Sequence, residues 1–177
     1  MGQTGTEIED EARGASSLAE AQPAGPSRLC GRYTNGIDTK SRVVMPAAFR
    51  TSFAAEGGLL TPWGNICLAA MAPAEFDVYR THVARRLADQ DEPDIEGILR
   101  TLWSSTVDFK LDVQGRLVLP EEIRSQVGIT NEVRFQGYGR RIELWPGLVT
   151  SHELDDRTDH LATLAVVQAT YIPELES

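Results

Sequence analysis

Residues 111–124 read Leu111-Asp112-Val113-Gln114-Gly115-Arg116-Leu117-Val118-Leu119-Pro120-Glu121-Glu122-Ile123-Arg124. The order is the end of a strand, a tight turn, a returning strand and the start of a helix. Gly115 suits the turn, and Pro120 suits a first helical position, where a missing N–H costs nothing. The same pattern stands earlier as Ile37-Asp38-Thr39-Lys40-Ser41-Arg42-Val43-Val44-Met45-Pro46-Ala47-Ala48-Phe49-Arg50, with Asp38 and Asp112 separated by 74 residues. Asp, the first Arg, one Val, Pro and the last Arg are identical between the copies, and four further positions exchange within the apolar class. A repeat of this kind describes one small unit built twice.

Working outward, the length of 177 residues allows one domain or two small ones. No run of about 18 apolar residues occurs, so no membrane span is expected. The start of the chain lacks a basic segment followed by an apolar run, so no secretory signal is expected. Cys30 and Cys67 match no zinc or CxxC spacing and read as reduced cytosolic thiols. The net charge of −9 is unevenly placed. Residues 1–27 hold five acids and one base, residues 151–177 six and one, and residues 28–150 fifteen of each. Within residues 28–50, five bases (Arg28, Arg32, Lys40, Arg42, Arg50) face one acid, Asp38. Since screening limits each charge to roughly 8–10 Å, such a local basic face can bind phosphates on an acidic chain.

Residues 1–27 are rich in Gly, Ala, Ser, Glu and Pro, and are expected to form a disordered acidic extension. Residues 28–71 are the first copy: a strand at 29–37 interrupted by polar Thr34-Asn35-Gly36, a second at 42–45, a short helix at 47–55 with Phe49 and Phe53 on its buried face, and two strands within 59–70. Residues 72–104 are expected to form two connecting helices. Phe76, Tyr79, Val83 and Leu87 mark the first over 73–89, and Ile95, Ile98, Leu99, Leu102 and Trp103 the second. Their apolar stripes read as core packing. Residues 105–150 are the second copy, with strands at 106–111 and 117–119, a helix at 120–127 stopped by Gly128, and strands at 132–136 and 142–145. Residues 151–177 are an acidic segment with a possible helix at 159–171.

The turn D-x-x-x-R has a direct physical reading. An Asp at a strand end accepts bonds from backbone N–H groups of the turn and fixes its shape. The Arg four residues later carries a fork of donors suited to phosphate or to guanine edges. The plain alternative is an ion pair that only staples the hairpin.

This pattern resembles the MraZ family of the AbrB-like swapped-hairpin superfamily. The resemblance covers about residues 29–147. It rests on Tyr33-Thr34-Asn35, Ile37 to Arg42, Val44 to Arg50, Asp112 to Arg116 with Pro120, and Ile142-Glu143-Leu144-Trp145. It implies an α+β fold: two tandem swapped-hairpin β-α-β units forming an intertwined pseudo-twofold barrel, joined by two connecting helices, with flexible acidic termini. It also implies a bacterial, nucleoid-associated transcriptional regulator. Such proteins bind double-stranded DNA with short direct repeats upstream of the division and cell-wall gene cluster, and assemble into homo-oligomeric rings. Carried over by position, the DNA-binding residues are Asp38, Lys40, Arg42, Asp112 and Arg116; from the charge placement in residues 28–50, Arg32 and Arg50 are expected as a supporting basic face. Two departures stand out. Ser41 occupies a position usually held by Gly, which at positive φ costs about 1 kcal/mol. Gln114 replaces the basic residue of the first tip, so the second tip should hold phosphate less strongly.

The expected protein is therefore a cytoplasmic, non-enzymatic DNA-binding regulator without cofactor, metal, membrane or small-molecule substrate. His82, His152 and His160 show no metal or nucleophile spacing, and no Gly-rich phosphate loop occurs. The alternative is an oligomeric scaffold or protein-interaction module that binds no DNA.

Overall fold

In the computed structural model, residues 28–64, 66–90, 92–148 and 160–165 are described. The expectations for residues 1–27, and for most of 151–177, lie outside them; within the latter segment residues 160–165 are helical and exposed. The first copy comprises β1 (Arg32–Gly36), β2 (Arg42–Val44), α1 (Ala47–Arg50) running into a 3-10 turn (Thr51–Phe53), β3 (Gly58–Trp63) and β4 (Cys67–Met71). Two helices follow, α2 (Pro73–Asp89) and α3 (Ile95–Ser104). The second copy repeats the series as β5 (Val107–Phe109), β6 (Arg116–Val118), α4 (Glu121–Ser125), β7 (Glu132–Tyr138) and β8 (Arg141–Pro146).

The fold is α+β with antiparallel pairing throughout. A six-stranded sheet runs β1-β7-β8-β4-β3-β5, and a two-stranded ribbon pairs β2 with β6. Exchanging the two copies maps this order onto itself. The first strand of each copy pairs with the third strand of the other: Tyr33 faces Phe135, and Asp108 faces Leu59. The ribbon takes one strand from each copy. Neither copy closes its own sheet.

Packing explains the arrangement. Side chains alternate between faces along a strand, yet all five residues of β4 are buried, so both faces of the sheet are covered. Ala70 joins a core shared by the copies, with Met45, Phe49, Phe53, Phe109, Leu117, Leu119 and Phe135. Its neighbours Ala69 and Met71 join a second cluster with Phe76 of α2. Phe53 and Phe109, from different copies, sit with ring centroids 5.2 Å apart.

Several elements are shorter than their sequence patterns predict. α1 and α4 begin one residue after Pro46 and Pro120, whose ψ of 138° and 140° is still extended. α1 tightens into the 3-10 turn Thr51–Phe53 before Gly57, at φ 77°, reverses the chain, and Gly128, at φ 73°, reverses it three residues after α4. The first strand is not interrupted at Thr34-Asn35-Gly36, which pair with β7 as part of β1, but at Gly31, whose φ of 102° separates the Leu29–Gly139 bridge from β1. The largest difference concerns α2 and α3. Of their predicted apolar stripes only Phe76 is buried and Tyr79 and Leu102 pack half-buried beside it, while Ile98 stays 37 % exposed and Trp103 50 %; Val78, outside the predicted stripe, is 61 % exposed.

Candidate nucleic-acid interface

Each D-x-x-x-R segment forms a three-residue hairpin loop with a left-handed residue before the Arg, a common hairpin closure. In the first tip, Asp38 N donates to Arg42 O at 2.8 Å and Ser41 N to Asp38 O at 2.9 Å. Asp38 Oδ1 accepts from the backbone N of Lys40 and of Arg42, each at 2.9 Å. The second tip repeats this: Asp112 Oδ1 accepts from Gln114 N and Arg116 N, each at 2.9 Å. The turn-shaping role read for the Asp residues thus has its geometry. The stapling pair is present as well. Asp38 Oδ2 accepts from Arg42 Nε at 2.8 Å with Nη2 at 2.7 Å, and Asp112 Oδ2 accepts from Arg116 Nε at 2.7 Å. A guanidinium has five donors in a planar fork, so this pairing orients each Arg along one edge without consuming it.

These bonds set the local electrostatics. The side-chain bond from Arg42, followed by its backbone N–H, pulls the Asp38 carboxyl from 3.8 down to about 2. Backbone donation from Arg116 leads in lowering Asp112. The bond to Asp38 raises Arg42, and Asp112 of the other copy adds a Coulombic contribution, so the tips lie within reach of each other's charge. Because the Asp38 value is depressed in the folded chain, the stability it lends is present above the unfolded value of 3.8 and is lost as pH falls toward 2. The Arg42 Nε–H resonance, followed by NMR, is expected to keep its bonded shift at pH 4 and to lose it only near pH 2.

The tips differ at one backbone position. Ser41 holds φ 57° and the matched Gly115 φ 73°. Ser41 is the one non-Gly residue at positive φ among the described residues. Ser41→Gly is expected to stabilise the chain by about 1 kcal/mol, read as a higher denaturation midpoint with unchanged slope. The reverse change is obstructed: a Cβ on Gly115 would meet Arg50 Nε at 2.5 Å. Arg50 packs there because its Nε donates to Met45 O at 2.8 Å, while Met45 N donates to Gly115 O at 2.8 Å. Arg124, the matching residue, donates instead to Ile129 O and Thr130 O at 3.3 and 2.8 Å.

The predicted site residues are therefore distributed as follows. Arg42 and Arg116 lie diagonally across one ribbon, since Arg42 faces Val118 and Arg116 faces Val44. Lys40 is exposed on the first tip, and Val113 and Gln114 occupy the corresponding arc of the second. Arg50 lies half-buried against the second tip. Arg32 sits at the opposite end of β1, donating to Gln136 Oε1 at 3.2 Å. Val44 and Val118, which flank the two Arg residues on the outward face, were not among the predicted site residues. The alternation Arg-x-Val at 42–44 and 116–118 is the signal that marks them. Among the described residues no group of three His, Cys, Asp or Glu is placed to hold a metal, and no helix is long and apolar enough to cross a membrane.

The family described as "MraZ protein, putative antitoxin-like" matches residues 102–148, which hold the second tip. "Transcriptional regulator MraZ" of Micrococcus luteus is 34% identical over 115 residues, 65% of this chain and 78% of that protein. The chain belongs to the MraZ family. Proteins of the same name from Kocuria rhizophila and Herpetosiphon aurantiacus are 32% identical over 127 residues and 33% over 138. These alignments cover 72% and 76% of this chain, and 87% and 92% of the two MraZ relatives.

Proposed function

We propose that this MraZ-family chain is a transcriptional regulator that binds double-stranded DNA through the outward face of the β2–β6 ribbon and the two tips beside it. Arg42 and Arg116 contact the duplex, Lys40 adds a phosphate contact, and Asp38 and Asp112 hold the tips in shape. Arg32 and Arg50 extend the basic surface and brace it. The observation that carries this reading is the union of two Arg residues from separate copies on one two-stranded ribbon, because a major groove admits an element of that width. The regulatory role is supported by the relatives, which are named transcriptional regulators.

Under this reading the target is a set of short direct repeats upstream of division and cell-wall genes, and the protein resides on the nucleoid. The chain acts as a swapped-hairpin body in a homo-oligomeric ring. The uncovered Val78, Ile98 and Trp103 on α2 and α3 support self-association. A ring presents several tips along one duplex, and linked sites gain avidity through effective concentration. The test is recovery of duplexes from random DNA by the full-length protein, with affinity followed against salt. Retention that falls as salt rises is expected. Absence of retention at any salt would favour the scaffold.

A further inference from the structure

We propose that Val44 and Val118 read sequence, each receiving the C5 methyl group of a thymine in the major groove. The inference rests on the DNA-binding reading above and adds which bases are selected. Alternation along β2 turns Val43 inward, 1 % exposed, and leaves Arg42 and Val44 outward. In β6, Leu117 is fully buried and Arg116 and Val118 face out. The register sets Arg42 opposite Val118 and Val44 opposite Arg116. Each guanidinium-bearing residue thus has a valine directly across from it and another two positions along its own strand.

A single exposed aliphatic side chain needs no explanation. Here two of them, 37 % and 53 % exposed, stand in matched positions between two arginines. The repeat keeps Val at both places while the neighbouring buried positions differ, Val43 against Leu117 and Met45 against Leu119. Strand propensity alone would be met as well by threonine. Asn35 Nδ2 donates to Val44 O at 2.7 Å and pins the end of β2, so Val44 is presented on a fixed backbone.

Directly opposed side chains of an antiparallel pair have Cβ atoms about 4.5–5.5 Å apart, against a spacing of about 3.4 Å between stacked bases. An arginine and its facing valine therefore address neighbouring base pairs. Guanine offers O6 and N7 to a guanidinium, and thymine alone offers a methyl group to an apolar side chain. The ribbon selects guanine beside thymine, twice.

The test uses duplexes recovered by the full-length protein and remade with deoxyuridine in place of each thymine in turn. This removes the methyl group and leaves the base-pairing edge unchanged. Affinity of the unsubstituted protein is expected to fall about three- to fivefold at the thymines facing the ribbon. The Val44→Ala/Val118→Ala chain is expected to bind thymine and deoxyuridine duplexes alike. Indifference of the unsubstituted protein to every replacement overturns the proposal and leaves DNA binding standing. A double variant that keeps the full methyl dependence does the same. Failure to retain any duplex overturns the DNA-binding reading and this one with it. The first arm needs no protein variant, so a folding defect in the second cannot mask the answer.

Discussion

Replacing Arg42 and Arg116 together with alanine is expected to weaken binding to recovered duplexes by about 30-fold to 10⁴-fold. The range is two base-reading contacts at about 1–3 kcal/mol each, with tenfold per 1.4 kcal/mol. The two sites lie on one ribbon, so their effects need not add strictly. The loss goes beyond two missing contacts, because each alanine also uncovers a carboxylate. Asp38 and Asp112 would keep their backbone bonds and stay ionised, and each would turn an unpaired negative charge toward phosphate. Lysine at both positions restores the charge without the planar fork. It should therefore recover salt-dependent retention on any duplex and recover little preference among duplexes. A fluorescence titration at two salt concentrations checks all three chains. Full affinity in the double alanine variant would place the DNA contact elsewhere.

Phe53→Ala is expected to cost about 3–5 kcal/mol, the usual range for emptying a buried aromatic site. Phe53 is 1 % exposed and packs on Phe109 of the other copy. The sharper expectation concerns where the loss is felt. Trp63 lies on β3 of the first copy and Trp145 on β8 of the second. Variants that keep one of these two as their sole tryptophan, with Trp103 also replaced, place the reporter in one copy or the other. Because β1 is bonded to β7 and β5 to β3, both reporters should unfold in one transition, and Phe53→Ala should move both midpoints equally. Two separated transitions would mean that the copies fold as autonomous units.

Much of this was legible from residues alone. Asp38, Ser41 and Arg42 announced a hairpin tip because the bonds that shape it run between near neighbours, and the second tip repeated the signal. The bounds of α2, residues 73–89, followed from apolar spacing and a proline at its first position, which are also local features. The partnership of Tyr33 with Phe135 had no local signal: strands of similar pattern could pair within a copy or between copies. The exposure of Trp103 was hidden for a related reason. A helical stripe shows that a face is apolar and does not show how much surface exists to receive it. At the site, periodicity of two along β2 already set Val44 on the side of Arg42. Its place beside both arginines emerged once the register set it opposite Arg116.

The exchange of first strands also sets a timetable for synthesis. Arg32 and its bonding partner Gln136 are 104 residues apart. A ribosome adding about 5–20 residues per second delivers β1 roughly 5–20 seconds before β7 can meet it. β5, by contrast, emerges to find β3 and β4 already made, so the half-sheet β4-β3-β5 can assemble first. During the interval β1 carries open backbone donors and acceptors. On a crowded polysome, the strand of one nascent chain can then be captured by the β7 of another.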